Sequence, residues 1–373
     1  MSTIQSSPQL TAYLAMATVP KMTPQKWRQL LVETKTTPVD LIHGSTLPIS
    51  DEALQQHINR LRQRIVWEKV ESALNWQQEA STHAILYEGS CHWPEGFQSL
   101  SSAPLVLFCH GDEGLLSAPQ IAIVGSRRAT VSGLAVATDI AAGLAKQGLC
   151  VTSGLAAGID AAAHKGAMAH PGRTIAFLGT GPDLTYPHRH SKLRHAILEH
   201  NGLIVSEFWP GTPPRRHHFP QRNRLIAAIS KGTLVVEATI NSGTLITANM
   251  AADLGRDVFA VPGNIANPLT EGCHFLIQQG AKLVVSAKDI LEELVCFCPL
   301  IHSDPVSSEE KSKDENLATD KLLDSVEFDV TSVDTIAERS ALPVSEVVAA
   351  LIEYELRDLV APVPGGYVKL RGK

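Results

Sequence analysis

The chain has 373 residues, of which 44% are hydrophobic and 19% charged, and its formal net charge is −6. This composition is that of an ordinary globular protein with room for two or three domains, and it excludes a disordered or fibrous chain. The first residues lack the pattern of a secretion signal, and no apolar run approaches the roughly 20 residues that cross a bilayer, so we expect a cytoplasmic protein without membrane contact.

The six cysteines have the sequence contexts of buried, reduced thiols. Cys296 and Cys298 are the only close-spaced pair, and no CxxC motif occurs. This usage favours a reducing compartment and predicts neither a disulfide framework nor a metal site.

The amino-terminal residues 1–80 predict a helical domain. Apolar residues recur at helical spacing in three segments, 10–16, 24–31 and 51–72. Thr23 followed by Pro24 is typical of a helix N-cap and first helical residue. Short strands predicted within 84–110 lead into the next domain.

The central residues 81–297 predict a doubly wound, Rossmann-like α/β domain. Strand-length aliphatic runs alternate with helical segments such as 134–146 and 245–254. The predicted strands are 121–124, 149–152, 174–178, 203–206, 233–236, 258–261 and 282–285. Because each run is almost continuously aliphatic, we expect strands buried on both faces of a parallel sheet.

The carboxyl-terminal part predicts a linker followed by a small domain. Residues 298–320 are polar and lack periodicity, which is typical of a linker. Within 321–373, two helical segments around Pro343 precede a hairpin that turns at Gly365-Gly366. This order predicts a winged helix-turn-helix domain.

One stretch of this acidic chain is basic. Residues 184–236 contain eight cations and two anions, a local charge of +6. Phe219 lies among the arginines of the segment 214–224. Arginines that neutralise phosphates beside an aromatic ring that stacks on bases are typical of sequence-independent binding to single-stranded nucleic acid.

Small and polar residues follow the predicted strands. They occupy 125–130, 153–160, 179–181, 241–244 and 262–264. Parallel sheets bind ligands at the carboxyl ends of their strands, where glycine allows close backbone approach and helix N-termini attract anions. The sequence therefore predicts an anion-binding edge beside the basic stretch.

Several nucleotide-binding motifs are excluded. No GxxxxGK[ST] motif occurs, so a P-loop NTPase is excluded. Gly179-Thr180-Gly181 lacks the third glycine of a dinucleotide motif, and strand two ends in Thr152-Ser153 instead of the acid that binds an NAD ribose. Asp160 and His164 are four residues apart, a spacing that favours a helix-start hydrogen-bonding network over an acid–base pair or half of a metal site.

A series of short motifs follows in a set order from 121 to 294. They are Gly125-Ser126-Arg127, Ser153-Gly154-Leu155-Ala156 with Asp160 and His164, Gly179-x-Gly181-x-Asp183 with Tyr186-Pro187, Ser206-Glu207, Phe219-Pro220-x-Arg222-Asn223-Arg224, Val236-Glu237-Ala238 and Ser242-Gly243-Thr244. In order and spacing this set resembles the DprA/Smf family of bacterial DNA-processing proteins.

The resemblance implies a Rossmann-like domain that binds single-stranded DNA, forms a homodimer and hands the DNA to the RecA recombinase, chiefly during natural transformation. It implies an arginine and phosphate-nest role for Ser126 and Arg127, and base stacking for Phe219. The amino-terminal helices resemble the family's sterile-alpha-motif-like or helix-hairpin-helix-like module.

We therefore expect a sequence-independent single-strand binder without catalytic residues, metal or cofactor. Arginines would neutralise phosphates, backbone amides near Gly125, Ser126, Gly154 and Gly243 would cradle them, and Phe219 would stack on a base. The residues expected to contact single-stranded DNA are Gly125, Ser126, Arg127, Arg128, Gly154, Arg216, Phe219, Arg222, Asn223, Arg224, Ser242, Gly243 and Thr244.

Two alternatives have recognisable signatures. One is a Rossmann-type nucleotide-processing enzyme resembling the phosphoribohydrolases, whose glycine loop is followed by a catalytic glutamate; here Thr247 stands in its place. The other is duplex reading by the winged helix, but its second helical segment, 345–355, has three glutamates and no lysine or arginine. For that segment we expect a protein contact or a structural role.

Overall fold

The computed structural model describes residues 7–44, 47, 51–170, 174–295, 321–327 and 330–370. The predicted linker, 298–320, lies outside the described residues, as do Cys296 and Cys298. The chain divides into two compact units, of which the first contains the amino-terminal helices and the large sheet.

Helices form the amino-terminal part. They are α1 (Pro8–Thr18), α2 (Pro24–Thr34), α3 (Pro38–His43), α4 (Glu52–Arg62) and α5 (Trp67–Glu79). Thr23 caps α2 as predicted, because its hydroxyl accepts a hydrogen bond from the Lys26 amide. Thr37 caps α3 in the same way through the Asp40 amide, and the same Thr-Pro signal would have predicted this helix.

The helix expected across 51–72 is broken into α4 and α5. At the break the Val66 amide donates to the Thr18 hydroxyl at 3.1 Å instead of continuing the helical pattern. Burial of Ile65 in the helical core accompanies the break. The amino-terminal helices share this core with β1 and β2, through contacts that include Trp27, Trp76 and Phe108.

The described residues form a nine-stranded sheet of order β1-β2-β6-β5-β4-β3-β7-β8-β9. Its strands are β1 (His83–Tyr87), β2 (Val106–Gly111), β3 (Gln120–Val124), β4 (Cys150–Ser153), β5 (Thr174–Phe177), β6 (Leu203–Ser206), β7 (Gly232–Val235), β8 (Asp257–Ala260) and β9 (Lys282–Leu283). The β1–β2 and β2–β6 pairs are antiparallel, and the other pairs are parallel.

Helices separate the parallel strands. They are α6 (Val131–Lys146), α7 (Ile159–Ala167), α8 (Ser191–Glu199), α9 (His218–Ile229), α10 (Gly243–Asp253), α11 (Glu271–Gln278) and α12 (Ala287–Val295). The seven predicted strands are confirmed with small shifts at their ends, and the last is shorter than expected. The doubly wound α/β fold is therefore confirmed.

The chain changes direction in the sheet between β3 and β7. From β3 it proceeds outward through β4, β5 and β6, and β7 then returns to pair with the other side of β3. At such a switch point the loops after the two central strands diverge and leave a crevice. A ligand site is therefore expected between the segments that follow Val124 and Val235.

The second compact unit contains the described carboxyl-terminal residues. It consists of α13 (Lys321–Asp324), α14 (Val333–Ser340), α15 (Val344–Leu356) and the hairpin β10 (Val360–Val363) with β11 (Gly366–Lys369). Ile336, Val347 and Leu351 are fully buried in its core. This unit is the predicted winged helix.

Candidate nucleic-acid interface

A crevice of about 770 Å³ opens at the switch point of the sheet. The loop after β3, the first turns of α9 and α10, and Tyr186 line it. Eleven of the thirteen residues predicted to bind DNA lie along it, and Gly154 and Arg224 are the exceptions. The structure thus brings together residues that are up to 119 positions apart, from Gly125 to Thr244.

The loop after β3 presents Arg127 and Arg128 to solvent. Gly125 is required here, because a Cβ atom would lie 2.5 Å from Cγ1 of Ile159. The Ser126 amide donates to the Glu237 carbonyl at 2.7 Å, and the Ser126 hydroxyl accepts from the Arg128 amide at 3.1 Å. The Ser126 amide therefore fixes the loop, and the phosphate cradle expected from amides near Ser126 stays a prediction.

Phe219 lies in the first turn of α9 and is half-buried. Its ring packs against Gly179, where a Cβ atom would lie 2.9 Å from the ring Cδ1. The Arg127 guanidinium lies 5.6 Å from the ring centroid, within cation–π range. The ring is thus held by the protein and remains within the lining of the crevice.

Tyr186 was not among the predicted site residues. Its ring centroid lies 5.4 Å from that of Phe219 at an angle of 44°, and 44% of the residue is exposed. The two rings form an aromatic pair in the lining of the crevice. The Tyr186-Pro187 motif was visible in the sequence, but its distance from Phe219 along the chain concealed the pairing.

Arg222 is held by protein acceptors, and the expectation that it neutralises phosphate stays a prediction. The residue is 4% exposed, and its guanidinium donates to the carbonyls of Gly154 and Phe177 and to the Asn223 side chain. Burial lowers the pKa of Arg222 to about 10, and nearby Asp160 opposes this shift. The group is therefore charged at neutral pH but turned toward protein acceptors.

Arg224 is also paired within the protein and does not line the crevice, so its expected DNA contact stays a prediction. Its guanidinium forms an ion pair with Glu207, and the two side chains are 13% and 6% exposed. Burial raises the pKa of Glu207 to about 7, although Arg224 acts in the opposite direction. The pair links α9 to the segment that follows β6.

Gly154 packs closely against Arg222. A Cβ atom there would lie 2.4–2.5 Å from three guanidinium atoms of Arg222. The Gly154 amide donates to Asp160 Oδ2 at 3.1 Å, and the Ala156 amide to the same oxygen at 3.3 Å. Asp160 thus occupies the Gly154 amide, and the phosphate cradle expected from amides near Gly154 stays a prediction.

The structural interpretation of Asp160 and His164 is confirmed. Asp160 ties the loop after β4, and Nδ1 of His164 lies 2.7 Å from the Thr174 hydroxyl. Burial, with Arg222 adding to the effect, lowers the pKa of His164 to about 3. His164 is therefore neutral in the folded protein.

The amino-terminal end of α10 faces the crevice. Ser242 is its N-cap residue, and Gly243 and Thr244 are its first helical residues. A Cβ atom at Gly243 would meet no atom within 4 Å, so the first turn is open to a ligand. Helix N-termini attract anions through their amides and the helix dipole.

The basic stretch is less uniform than its composition suggested. Arg194, like Arg222 and Arg224, is turned inward; its guanidinium donates to the Leu184 and Pro182 carbonyls. The exposed cations of the stretch are Arg189, Lys192, Arg215, Arg216 and Lys231. Of these, only Arg216 lines the crevice, together with Arg127 and Arg128 from the loop after β3.

Comparison with known proteins decides the family. The model of the DNA recombination-mediator protein A family matches residues 84–295, and that of the DprA winged helix domain matches residues 306–366. The chain belongs to the DprA/Smf family. Protein Smf of Escherichia coli is 42% identical over 304 residues, which cover 81% of each chain. The DNA processing protein DprA of Streptococcus pneumoniae is 45% identical over 201 residues, 54% of this chain and 71% of the relative.

Solved DprA structures share the fold. The X-ray structure of DprA from S. pneumoniae aligns with a TM-score of 0.63 at 33% identity, over 78% of this chain and 99% of that one. A Helicobacter pylori DprA structure, described for its unique single-stranded DNA binding mode, aligns with a TM-score of 0.52 at 28% identity, over 57% and 96%. No helix in the described part of this DprA/Smf chain has both the length and the apolar character needed to cross a membrane.

Proposed function

We propose that this protein binds single-stranded DNA without regard to sequence through the crevice between β3 and β7. The observation that carries the proposal is the arrangement of Arg127, Phe219 and Tyr186, in which a cation and two rings lie together at one edge of the sheet. A base can stack on the aromatic pair while the cations follow the backbone.

The phosphates would be bound by two kinds of group. The guanidinium groups of Arg127, Arg128 and Arg216 would supply positive charge along the crevice. The first-turn amides of α10, near Gly243 and Thr244, would supply backbone donors. None of these groups reads base edges, so the geometry supports binding without sequence preference.

Membership of the family suggests what the protein does with the DNA that it binds. As a DprA/Smf protein, the chain would hand its DNA to the RecA recombinase as a homodimer, in the cytoplasm and chiefly during natural transformation. Support for a link to recombination comes from the matching family description, a recombination-mediator protein. Stimulation of RecA ATP hydrolysis on protein-coated single strands would test this role separately from DNA binding.

We propose that no bond is made or broken at this site. Asp160 is the only carboxylate along the crevice within the described residues, and it accepts two backbone hydrogen bonds. At the position where a phosphoribohydrolase has its glutamate, Thr247 is 1% exposed. Release of adenine from AMP by the purified protein would revive the enzyme alternative.

Binding of fluorescent oligodeoxythymidylate at several salt concentrations tests the proposal. Phe219→Ala is expected to cost about 1–3 kcal/mol of binding free energy through lost stacking. Arg127→Ala is expected to weaken binding and to reduce the slope of log K against log salt by about 0.7. Lys231→Ala, an exposed cation outside the crevice, is the matched control. Wild-type affinity in both crevice variants would refute the assignment.

A further inference from the structure

A second pocket lies beside the crevice and has no role in the function proposed above. Its volume is about 310 Å³, and the loop 209–213, helix α5 and the start of α9 surround it. Lys69 and Arg215 line it together with Trp209 and His218, and no carboxylate is among its lining residues.

The two cations of this pocket are available to a ligand. Lys69 and Arg215 are both exposed, and neither belongs to an ion pair in the described part of the chain. This distinguishes them from Arg194, Arg222 and Arg224, whose charges are used by protein acceptors. Two exposed cations from different elements that line one pocket attract an anion such as a phosphate.

Trp209 supplies an aromatic wall. One part of its ring packs on Phe108 at 5.5 Å between centroids, and the residue is only half-buried. The loop is held in place because Asp183 accepts from the Gly211 amide at 2.8 Å and the Gly181 amide donates to the Thr212 carbonyl at 2.9 Å. The indole is therefore fixed before any ligand arrives.

Neighbouring residues of the chain line the second pocket and the crevice. Arg215 and His218 line the second pocket, whereas their chain neighbours Arg216 and Phe219 line the crevice. Neighbouring Cα atoms are only about 3.8 Å apart, so the backbone that carries Arg215 and Arg216 lies beside both pockets. A strand bound in the crevice at Arg216 would therefore have Arg215 nearby.

We propose that this pocket is a second nucleotide subsite, in which Lys69 and Arg215 bind a phosphate and Trp209 contacts the base. The inference rests on the proposed function, because the same single strand would fill both pockets. It assigns the amino-terminal helices a part in DNA binding, since Lys69 belongs to α5. The bound segment is then longer than the crevice alone would hold.

The test uses the full-length protein and oligodeoxythymidylates of increasing length. For the wild type, affinity rises with length and steps upward once a strand reaches the second pocket. The double variant Lys69→Ala/Arg215→Ala is expected to lose this step while short oligonucleotides bind as before. Since one phosphate contact contributes about fivefold to affinity at 0.1 M salt, long strands should lose about fivefold.

Controls separate this inference from the proposed function. Lys231→Ala should retain the length dependence, and Phe219→Ala should weaken binding at every length. If the double variant keeps the wild-type length dependence while Phe219→Ala weakens binding, the second subsite is refuted and the crevice stands. If Phe219→Ala and Arg127→Ala have no effect at any length, the proposed function itself fails.

Discussion

Substitution of Arg222 tests whether this buried arginine stabilises the fold or binds DNA directly. Its guanidinium is buried and donates to carbonyls at the ends of β4 and β5, and Asp160 lies close enough to influence its pKa. In Arg222→Met the methionine fills most of the space but leaves those carbonyls and a buried carboxylate without their cation. We therefore expect lower stability as the first consequence, and weaker DNA binding only as a result of it.

The magnitude follows from the cost of removing one member of a buried charged network. Such changes cost about 3–5 kcal/mol in free energy of unfolding. In a unit of this size each kcal/mol corresponds to about 2–4 °C in Tm, so a fall of about 6–20 °C is expected. Thermal unfolding followed by circular dichroism measures it.

Arg127→Ala is the matched comparison, because Arg127 is exposed and its guanidinium lies over the ring of Phe219. It should reduce DNA affinity with a Tm close to that of the wild type. An Arg222→Met protein with wild-type Tm and lost DNA affinity would refute the structural role of Arg222 and restore its expected phosphate contact.

Further predictions concern the aromatic site, pH and the winged helix. Gly179→Ala should displace the Phe219 ring and weaken oligonucleotide binding. In a protein that already carries Phe219→Ala it should have no further effect. An equal loss of affinity in both proteins would show that Gly179 does not act through the Phe219 ring. The fold lowers the pKa of His164 to about 3, so between that value and the ordinary pKa of histidine only the unfolded state binds the proton. Protonation of the unfolded state therefore lowers the free energy of unfolding as pH falls through this window, by about 1.4 kcal/mol per pH unit. The difference between wild-type and His164→Asn denaturant titrations isolates this slope, and identical pH profiles would contradict it. A fragment of residues 321–373 should fail to shift duplex DNA in a gel, because α15 presents Glu346 and Glu353 beside exposed Ile352; a shifted band would show that the helix reads duplex.

The strands were predictable because a strand that is buried on both faces has an almost continuously aliphatic sequence. The Ile121–Val124 run became β3 with one residue added, and Leu203–Ser206 became β6 unchanged. Helix starts with a Thr-Pro signal were also predictable. The break between α4 and α5 was not, because it depends on a hydrogen bond to Thr18, 48 residues away.

The site was only partly predictable. Residues that follow parallel strands meet at one edge, so the sequence placed most of the crevice correctly. Composition could not tell which arginines turn inward. Arg222 shares a helical face with Leu225, Ile226 and Ile229, and this spacing was a signal that it would be buried. The pairing of Arg224 with Glu207 had no such local signal, because Glu207 lies on another segment.

Photo-crosslinking most directly tests whether single-stranded DNA occupies the crevice. An oligodeoxythymidylate with 5-iodouracil at each position in turn would be irradiated with the full-length protein, and the modified peptides identified by mass spectrometry. Crosslinks to Phe219 and Tyr186, lost on competition with unlabelled single strand, are the expected result. Crosslinks confined to α15 or to surfaces away from β3 and β7 would contradict the account.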